Sequence, residues 1–369
     1  MLRQGNIRHD LAFFGRTLFE EKTDTVFFNW TGSGFEVAFE ATKLEVVLLT
    51  LESANPFEGT LCPIVSVFLD AEESPVQEIY LNQPETRLTL HESSLPERHR
   101  IRVVKRTEND KGKVGVSDIA IDGAFLPLET DQTRLRLEFI GDSISCGFGN
   151  EASKREGLFV PMEENGCKTY CAVAAKLLDA EYHNISVSGI SLCAPLDPDF
   201  QLVIPEFDGL RVRVKAMEDF YDYTDRVYEE TCGKVGGFTA WDFSRYQPDA
   251  IIINLGTNDS YRIKAAGNSL AEVAHFERRY EDFIRRIRER NGSKPIIGCT
   301  LGPMDYYLYD NIVEAVRSYK NATGDERVFC YKFGGIYPMQ EGFGTGDHPS
   351  LITHARMGRE LSELLKCWI

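Results

Sequence analysis

The hydrophobic period of this chain changes once, near residue 130, and that change limits the folds open to it. Up to that point, short runs alternate apolar and polar residues with period two: VFFNW (26–30), GFEVAFEA (34–41), KLEVVLLTL (43–51), PIVSVFLDA (63–71), TRLTL (86–90) and HRIRVVKR (99–106). Turn signals separate them (TGSG, SANP, EESP and NDKGK), with no helical period between. Short strands at this spacing predict an all-β, jelly-roll-like sandwich. From residue 134 onward, apolar runs at 135–141, 182–189, 250–256, 294–302 and 328–334 alternate with helical stretches at 169–180, 270–290, 310–321 and 350–366. On the longest of these, Phe276, Tyr280, Phe283, Ile284 and Ile287 share one face. Strand–helix alternation predicts a five-stranded parallel sheet covered on both faces, a three-layer α/β domain. The 369 residues therefore divide into an N-terminal β domain, 1–130, and an α/β domain, 131–369. The connection 121–133, with Gly123 and Pro127, reads as turn-rich. Residues 194–245 hold the second and third strands of the sheet farther apart than one helix requires, which marks a functional loop or a contact surface.

The formal net charge of −16 repels phosphate backbones and anionic lipid, so no nucleic-acid or membrane partner is expected. No run approaches the ~20 apolar residues of a membrane helix. The start, MLRQGNIRHDLAFFGRTLFE, carries no continuous apolar core of a secretory leader. Nine cysteines, an odd number without a CxxC pair, fit free thiols in a reducing compartment. The expectation is a cytoplasmic protein, with secretion after loss of a leader as the alternative.

In the α/β domain, chemistry-bearing residues collect where strands end. LRLEFIG runs into Asp142-Ser143 and then into Ser145, Gly147 and Gly149. NISVSG ends on Gly189, INLGTND on Asn258 and Asp259, and GTGDHPS places His348 in a Gly-rich loop before the last helix. Acyl transfer needs a serine, a nearby base near neutral pKa, and preorganised donors for the oxyanion. Ser143, His348, Gly189 and Asn258 supply that set from four loops of one α/β pattern. Ligands of such sheets bind beyond the carboxyl ends of the strands.

The order GDS, NxSxSG, GTND, xHP resembles the GDSL or SGNH hydrolase superfamily, whose namesake residues fall on Ser143, Gly189, Asn258 and His348. A β domain in front, with GDSISCGFGN, WDFSRYQPDAIIINLGTND and LGPM, is more narrowly similar to carbohydrate esterase family 2. Those enzymes remove acetyl groups from xylan and related saccharides. The resemblance implies an SGNH hydrolase fold, Ser143 as nucleophile, and His348 as general base and then acid. It also implies an oxyanion hole of the Ser143 and Gly189 N–H groups and the Asn258 side chain. The substrate would be an acetylated oligosaccharide or polysaccharide, with no cofactor and no catalytic metal. Asp142 would hold the turn through its side chain. The positions two and three residues before His348 are Gly346 and Thr345, where many relatives carry an Asp. The imidazole is then oriented by a backbone carbonyl, as in a Ser–His dyad, or by Asp347.

Phe148, Trp241, Tyr261 and Tyr306 are the aromatics near strand ends that could stack on a sugar. Trp241, in a long loop with few apolar neighbours, and Tyr261 stand out. Cys146 reads as packing and His354 as structural. His9, His91, His99, His183 and His275 are scattered in sequence, without metal-ligand spacing. Two rivals remain: a lipase, thioesterase or other esterase on the same machinery, and a glycan-binding protein with an inert hydrolase domain. A long-chain lipase would need an apolar lid, for which 194–215 is the place. That segment, or the β domain, is also where self-association into a homo-oligomer would arise.

Overall fold

Residues 34–51, read as two strands, form one (β2, Gly34–Leu51), and 86–90 and 99–106 are halves of another (β5, Glu85–Lys105). The reason is a bulge. Phe35, Val37 and Phe39 are buried on odd positions, whereas Leu44, Val46 and Leu48 are buried on even ones. In the partner strand Asp122 faces Lys43 and Gly123 faces Ala41, so Thr42 is left over. One unpaired residue reverses the inward parity without ending the strand, which in sequence looks like a break.

The structure, a computed structural model, describes residues 2–55, 59–128, 133–156, 159–204 and 208–369. Two units are distinguished by their internal contacts. One is Met1–Thr133 with Val160–Cys167 and Thr224–Thr239; the other is Arg134–Phe159, Lys168–Tyr223 and Ala240–Ile369. The boundary expected at 130/131 falls within 129–132, outside the described residues.

The first unit is an antiparallel β domain. With β1 (Thr25–Phe27), β3 (Ile64–Leu69), β4 (Gln77–Tyr80) and β6 (Lys113–Leu126), its sheet runs Leu18–Glu20, β1, β6, β2, β5, β3, β4; Arg3–Gln4 and Ala12–Phe14 add to β6 and β2. Residues 121–126, expected as a turn-rich connection, continue β6, with Phe125 opposite Phe39. The core is fed by both halves of β2 and by Ile101, Val103, Val114, Val116 and Ile119. Buried polar groups tie in the two later segments. Asp225 accepts from the side-chain amides of Asn29 (2.7 Å) and Asn109 (2.9 Å), and Glu164 accepts from the Glu108 N–H (2.6 Å). Burial pulls the neighbouring Lys105 down to about 7. Removing one partner from such a network leaves another unsatisfied, which holds these segments in place.

The second unit is an α/β domain. Its five parallel strands are β7 (Arg136–Gly141), β8 (Glu181–Ser186), β9 (Ala250–Asn254), β10 (Ile296–Leu301) and β11 (Val328–Lys332), in the order β8-β7-β9-β10-β11. Every residue of β9 and β10 is buried, as strands covered on both faces require. The helices include α1 (Ser143–Cys146), α2 (Tyr170–Leu177), α3 (Thr257–Ala265), α4 (Leu270–Asn291), α5 (Tyr309–Thr323) and α6 (Leu351–Lys366). Helix α4 starts where the Ser269 side chain accepts from the Glu272 N–H and stops at Gly292, at φ 75°. It buries the expected face of Phe276, Tyr280, Phe283, Ile284 and Ile287, each contributing roughly 1.5–3 kcal/mol. Strand order reverses between β7 and β9, and the crevice at that switch point is where ligands of open α/β sheets bind. In the segment 194–215, Gln201–Ile204 and Leu210–Arg213 pair as a two-stranded antiparallel hairpin.

Candidate active site

Strand β7 ends at Gly141, and Asp142 then caps α1, its Oδ1 accepting from the Ile144 N–H at 3.0 Å. Ser143 is thereby the first residue of a one-turn helix at a strand's carboxyl end. The turn is braced from behind. The Ser145 carbonyl accepts from Asn184 Nδ2 (2.8 Å), and the Ser145 hydroxyl lies 2.8 Å from that of Tyr170. The Tyr170 N–H in turn donates to His354 Nδ1 at 3.1 Å. Burial lowers the His354 pKa to about 3, so its imidazole is neutral and structural.

The glycines after Ser143 let the histidine loop approach. Gly149 sits at φ 59°, where a Cβ would lie 2.5 Å from the Thr345 Cβ, and a Cβ on Gly344 would lie 2.4 Å from the Gly149 carbonyl oxygen. Backbone meets backbone there: Thr345 N–H donates to Gly149 O (3.1 Å) and Leu351 N–H to Asn150 O (3.2 Å). His348 Nε2 consequently stands 2.8 Å from Ser143 Oγ. Its Nδ1 faces the carbonyl oxygens of Thr345 (3.0 Å) and Gly346 (3.2 Å). Carbonyl oxygens only accept, so Nδ1 carries the hydrogen and the Nε2 lone pair faces the serine hydroxyl. Phe148 packs on the imidazole, with ring centroids 4.7 Å apart, and stacks on Phe159 at 4.2 Å.

Asp347 turns away from this pair. Its carboxylate bonds the Arg155 guanidinium, which holds it below the usual carboxylate range. The Arg155 carbonyl also accepts from the Gly346 N–H at 3.0 Å.

Gly189 lies at φ 75° with open space where a side chain would be. Asn258, the second residue of α3, donates from Nδ2 to the carbonyl of Ile190 at 2.9 Å, with Asp142 Oδ2 at 3.4 Å. It thus joins the Gly189 turn to the Ser143 turn, and the amide's second hydrogen is the weakly engaged one. Two residues in this frame have no role in the sequence reading: Asn184 is not singled out there, and Asp259 is placed at a strand tip without a task. Asn184, within NISVSG, holds the Ser143 turn. Asp259, beside Asn258, accepts from the Leu192 (2.7 Å) and Cys193 (3.3 Å) N–H groups, and burial lifts its pKa to about 6. The signal available was their position inside the two quoted motifs.

Trp241 is a correction. It is only 5% exposed, beneath Arg245 and edge-on to His183. His183 stacks on Tyr246, whose hydroxyl donates to carbonyls at the starts of β7 and β8. Trp241 therefore lies at the end of the sheet opposite Ser143; its cover comes from His183, distant in sequence, and from Arg245, four residues on. Tyr261 is half exposed, three residues along α3 from Asn258. Tyr306 is engaged in packing, its hydroxyl donating to Phe333 O (2.8 Å). The nine cysteines are thiols, none in a disulfide, and Cys146 is fully buried. Among the described residues no helix is long and apolar enough to cross a membrane. Among the same residues, His91, Glu97 and His99 are the one set of three side chains close enough to share a metal ion. They belong to the β domain, and His91 and His99, read as scattered, are brought together by the fold.

Residues 13–128 match the family described as carbohydrate esterase 2 N-terminal, and residues 137–361 match the GDSL-like lipase/acylhydrolase family. The cellulase/esterase CelE of Acetivibrio thermocellus is 28% identical over 354 residues, covering 91% of this chain and 37% of that protein. The chain thus spans little more than a third of that relative's length. An acetylxylan esterase / glucomannan deacetylase of Cellvibrio japonicus is 26% identical over 312 residues, covering 82% of this chain and 73% of the other. The structure of a family two carbohydrate esterase from Clostridium thermocellum in complex with cellohexaose superposes with a TM-score of 0.78 at 27% identity, covering 97% of this chain and 98% of that one.

Proposed function

The chain belongs to the GDSL-like lipase/acylhydrolase family, and from that premise we propose that it is a serine esterase removing O-acetyl groups from saccharides. One observation carries the proposal: the 2.8 Å contact between Ser143 Oγ and His348 Nε2, with Nδ1 turned onto backbone carbonyls. In the acylation step Ser143 Oγ attacks the acetyl carbonyl carbon while its proton passes to Nε2. The oxyanion is held by the N–H groups of Ser143 and Gly189 and by Asn258 Nδ2. The imidazolium then protonates the departing sugar oxygen, and the C–O bond to the sugar breaks. In deacylation, water gives its proton to Nε2 and attacks the acetyl-enzyme. Acetic acid leaves, losing its own proton to solvent as acetate, and the proton on Nε2 returns to Ser143.

The Nδ1–H···O=C contacts perform the orienting task that a carboxylate performs in a triad. They fix tautomer and ring position, and they stabilise the imidazolium through two carbonyl dipoles.

The substrate class is an acetylated xylan, xylo-oligosaccharide or glucomannan. The named activities of the relatives support it, as does the cellohexaose held by a similar structure. A small acyl group needs no lid, and the described part of 194–215 is a hairpin, not an apolar helix. The test is a panel of 4-nitrophenyl acetate, 4-nitrophenyl butyrate and acetylated xylo-oligosaccharide, with wild type and Ser143→Ala. Turnover of the acetyl esters and the oligosaccharide, abolished in the variant, is expected. Preference for the butyrate, or no saccharide turnover, would refute the substrate class.

A further inference from the structure

We propose that His91, Glu97 and His99 form a binding site for a divalent transition metal of the zinc type in the β domain. All three lie on strand β5, on positions of one parity. In an uninterrupted strand His91 and Glu97 would be about 20 Å apart. They are not, because the strand makes an excursion between them. While β5 advances from His91 to Glu97, its partner β2 advances only from Leu44 to Ala41. The surplus residues bulge out and fold Glu97 back, so that Glu97 Oε2 lies 3.7 Å from His91 Nε2 and 3.3 Å from His99 Nε2. All three ligand atoms fall within 4.8 Å of one another. A tetrahedral zinc ion with bonds of about 2.0–2.1 Å spaces its ligand atoms about 3.3 Å apart. The set needs only a small closure to reach that spacing.

A second arrangement marks the cluster as built. Asp70 Oδ2 accepts from His99 Nδ1 at 2.8 Å. Asp70 is itself held, its Oδ1 accepting from the Arg100 N–H (2.8 Å) and its own N–H donating to Arg100 O (2.7 Å). A carboxylate on Nδ1 fixes the tautomer whose Nε2 lone pair points at Glu97, the pattern that orients metal-binding histidines. His99 Nε2 and the Glu97 carboxylate oxygen, 3.3 Å apart, need a shared cation between them, which is the second ring proton when no metal is bound and the metal ion when one is. Both imidazoles also pack on Phe39, with centroids at 5.3 and 6.2 Å, which limits their rotation. Ser93 Oγ lies 3.1 Å from His91 Nε2 and gives its hydrogen to Leu95 O, so it faces that nitrogen with lone pairs. Without metal, His91 Nε2–H donates to Ser93 Oγ; a metal ion on Nε2 displaces that hydrogen, and the neutral ring then carries its hydrogen on Nδ1.

Two imidazoles and one carboxylate suit zinc over calcium or magnesium, which take oxygen ligands. Access is open on one side: the His91 and His99 side chains are 10% and 22% exposed and that of Glu97 52%. Such a metal would clamp the excursion of β5 and stabilise the β domain. The site does not depend on the esterase reading.

The test is zinc titration of the chelator-treated full chain by calorimetry, with metal per chain counted by elemental analysis after desalting. One zinc per chain is expected, with a higher Tm and no comparable response to calcium. Glu97→Gln, at an exposed position, and Asp70→Asn should each weaken binding about 10- to 100-fold. His91→Ala with His99→Ala should abolish it. Substoichiometric zinc in the wild type would overturn the proposal. So would zinc retained by the double variant, or unaltered affinity in Glu97→Gln.

Discussion

Asp347 stands next to His348 in sequence, yet its carboxylate bonds Arg155, and the imidazole Nδ1 faces the Thr345 carbonyl at 3.0 Å. The backbone of 344–348 explains this. Gly346 and Asp347 both adopt left-handed conformations, at φ 59° and 66°, which point the two adjacent side chains apart. The position nearest the histidine therefore ties its loop to Arg155, and it is the loop's own carbonyls that face the imidazole Nδ1.

Removing that anchor should cost little. Asp347→Ala and Arg155→Ala are each expected to lower kcat within about fivefold, as loss of an exposed ion pair does. The double variant should be no worse than either single one. Loss of a true triad carboxylate costs about 10⁴ in kcat. A fall of that size in Asp347→Ala alone would make the carboxylate the orienting group.

Asn258→Ala should lower kcat about 100- to 1,000-fold with a small change in KM, because its amide is proposed to meet charge that exists only in the transition state. An equal loss in KM alone would assign Asn258 to ground-state binding.

Tyr261 and Trp241 should separate in kinetics. Tyr261→Ala is expected to raise KM for acetylated oligosaccharide while leaving 4-nitrophenyl acetate turnover nearly unchanged, since the exposed ring can touch only the sugar. Trp241→Ala should instead destabilise the fold by about 3–5 kcal/mol, with KM unaltered. Urea unfolding beside steady-state kinetics checks both, and a KM effect confined to Trp241 would reverse the assignment.

His354 makes a stability prediction with a definite sign. Its pKa is about 3 folded, against 6.5 for the ordinary side chain. The unfolded chain binds the extra proton first, so His354 contributes stability above pH 6.5 that is lost as pH falls toward 3. The loss is about 1.4 kcal/mol per pH unit over that window. Asp259, raised to about 6 by burial, runs the other way, with stability falling as pH rises from about 4 to 6. The informative quantity is the difference between wild type and His354→Gln, measured by denaturant unfolding from pH 7 to 5. That difference should shrink on acidification; a constant one would mean that His354 is not buried neutral.

Most of the α/β domain was legible because its signals are local. The strands and the helices around α2, α4, α5 and α6 carry their own period and caps, and Ser143, Gly189, Asn258 and His348 sit at strand or loop ends that punctuation marks. What stayed hidden depends on partners far away. Thr42 reads as a break because bulge and turn both interrupt alternation. Glu164 and Asp225 look like surface carboxylates until the β domain supplies Glu108, Asn29 and Asn109. Trp241 looks exposed until His183, on strand β8, covers it. GTND reads as a turn, although its Thr257 begins α3. The orienter of His348 was open because a backbone carbonyl has no letter in a sequence.

The central claim is that Ser143 Oγ becomes acetylated. The direct measurement is rapid quenching of the enzyme with 4-nitrophenyl acetate, followed by mass spectrometry of the intact chain and its peptides. One acetyl group on the peptide containing Ser143 is predicted, absent in Ser143→Ala and persisting longer in His348→Ala if any forms. Turnover without an acetylated serine, or acetyl on another residue that survives in Ser143→Ala, would contradict the account.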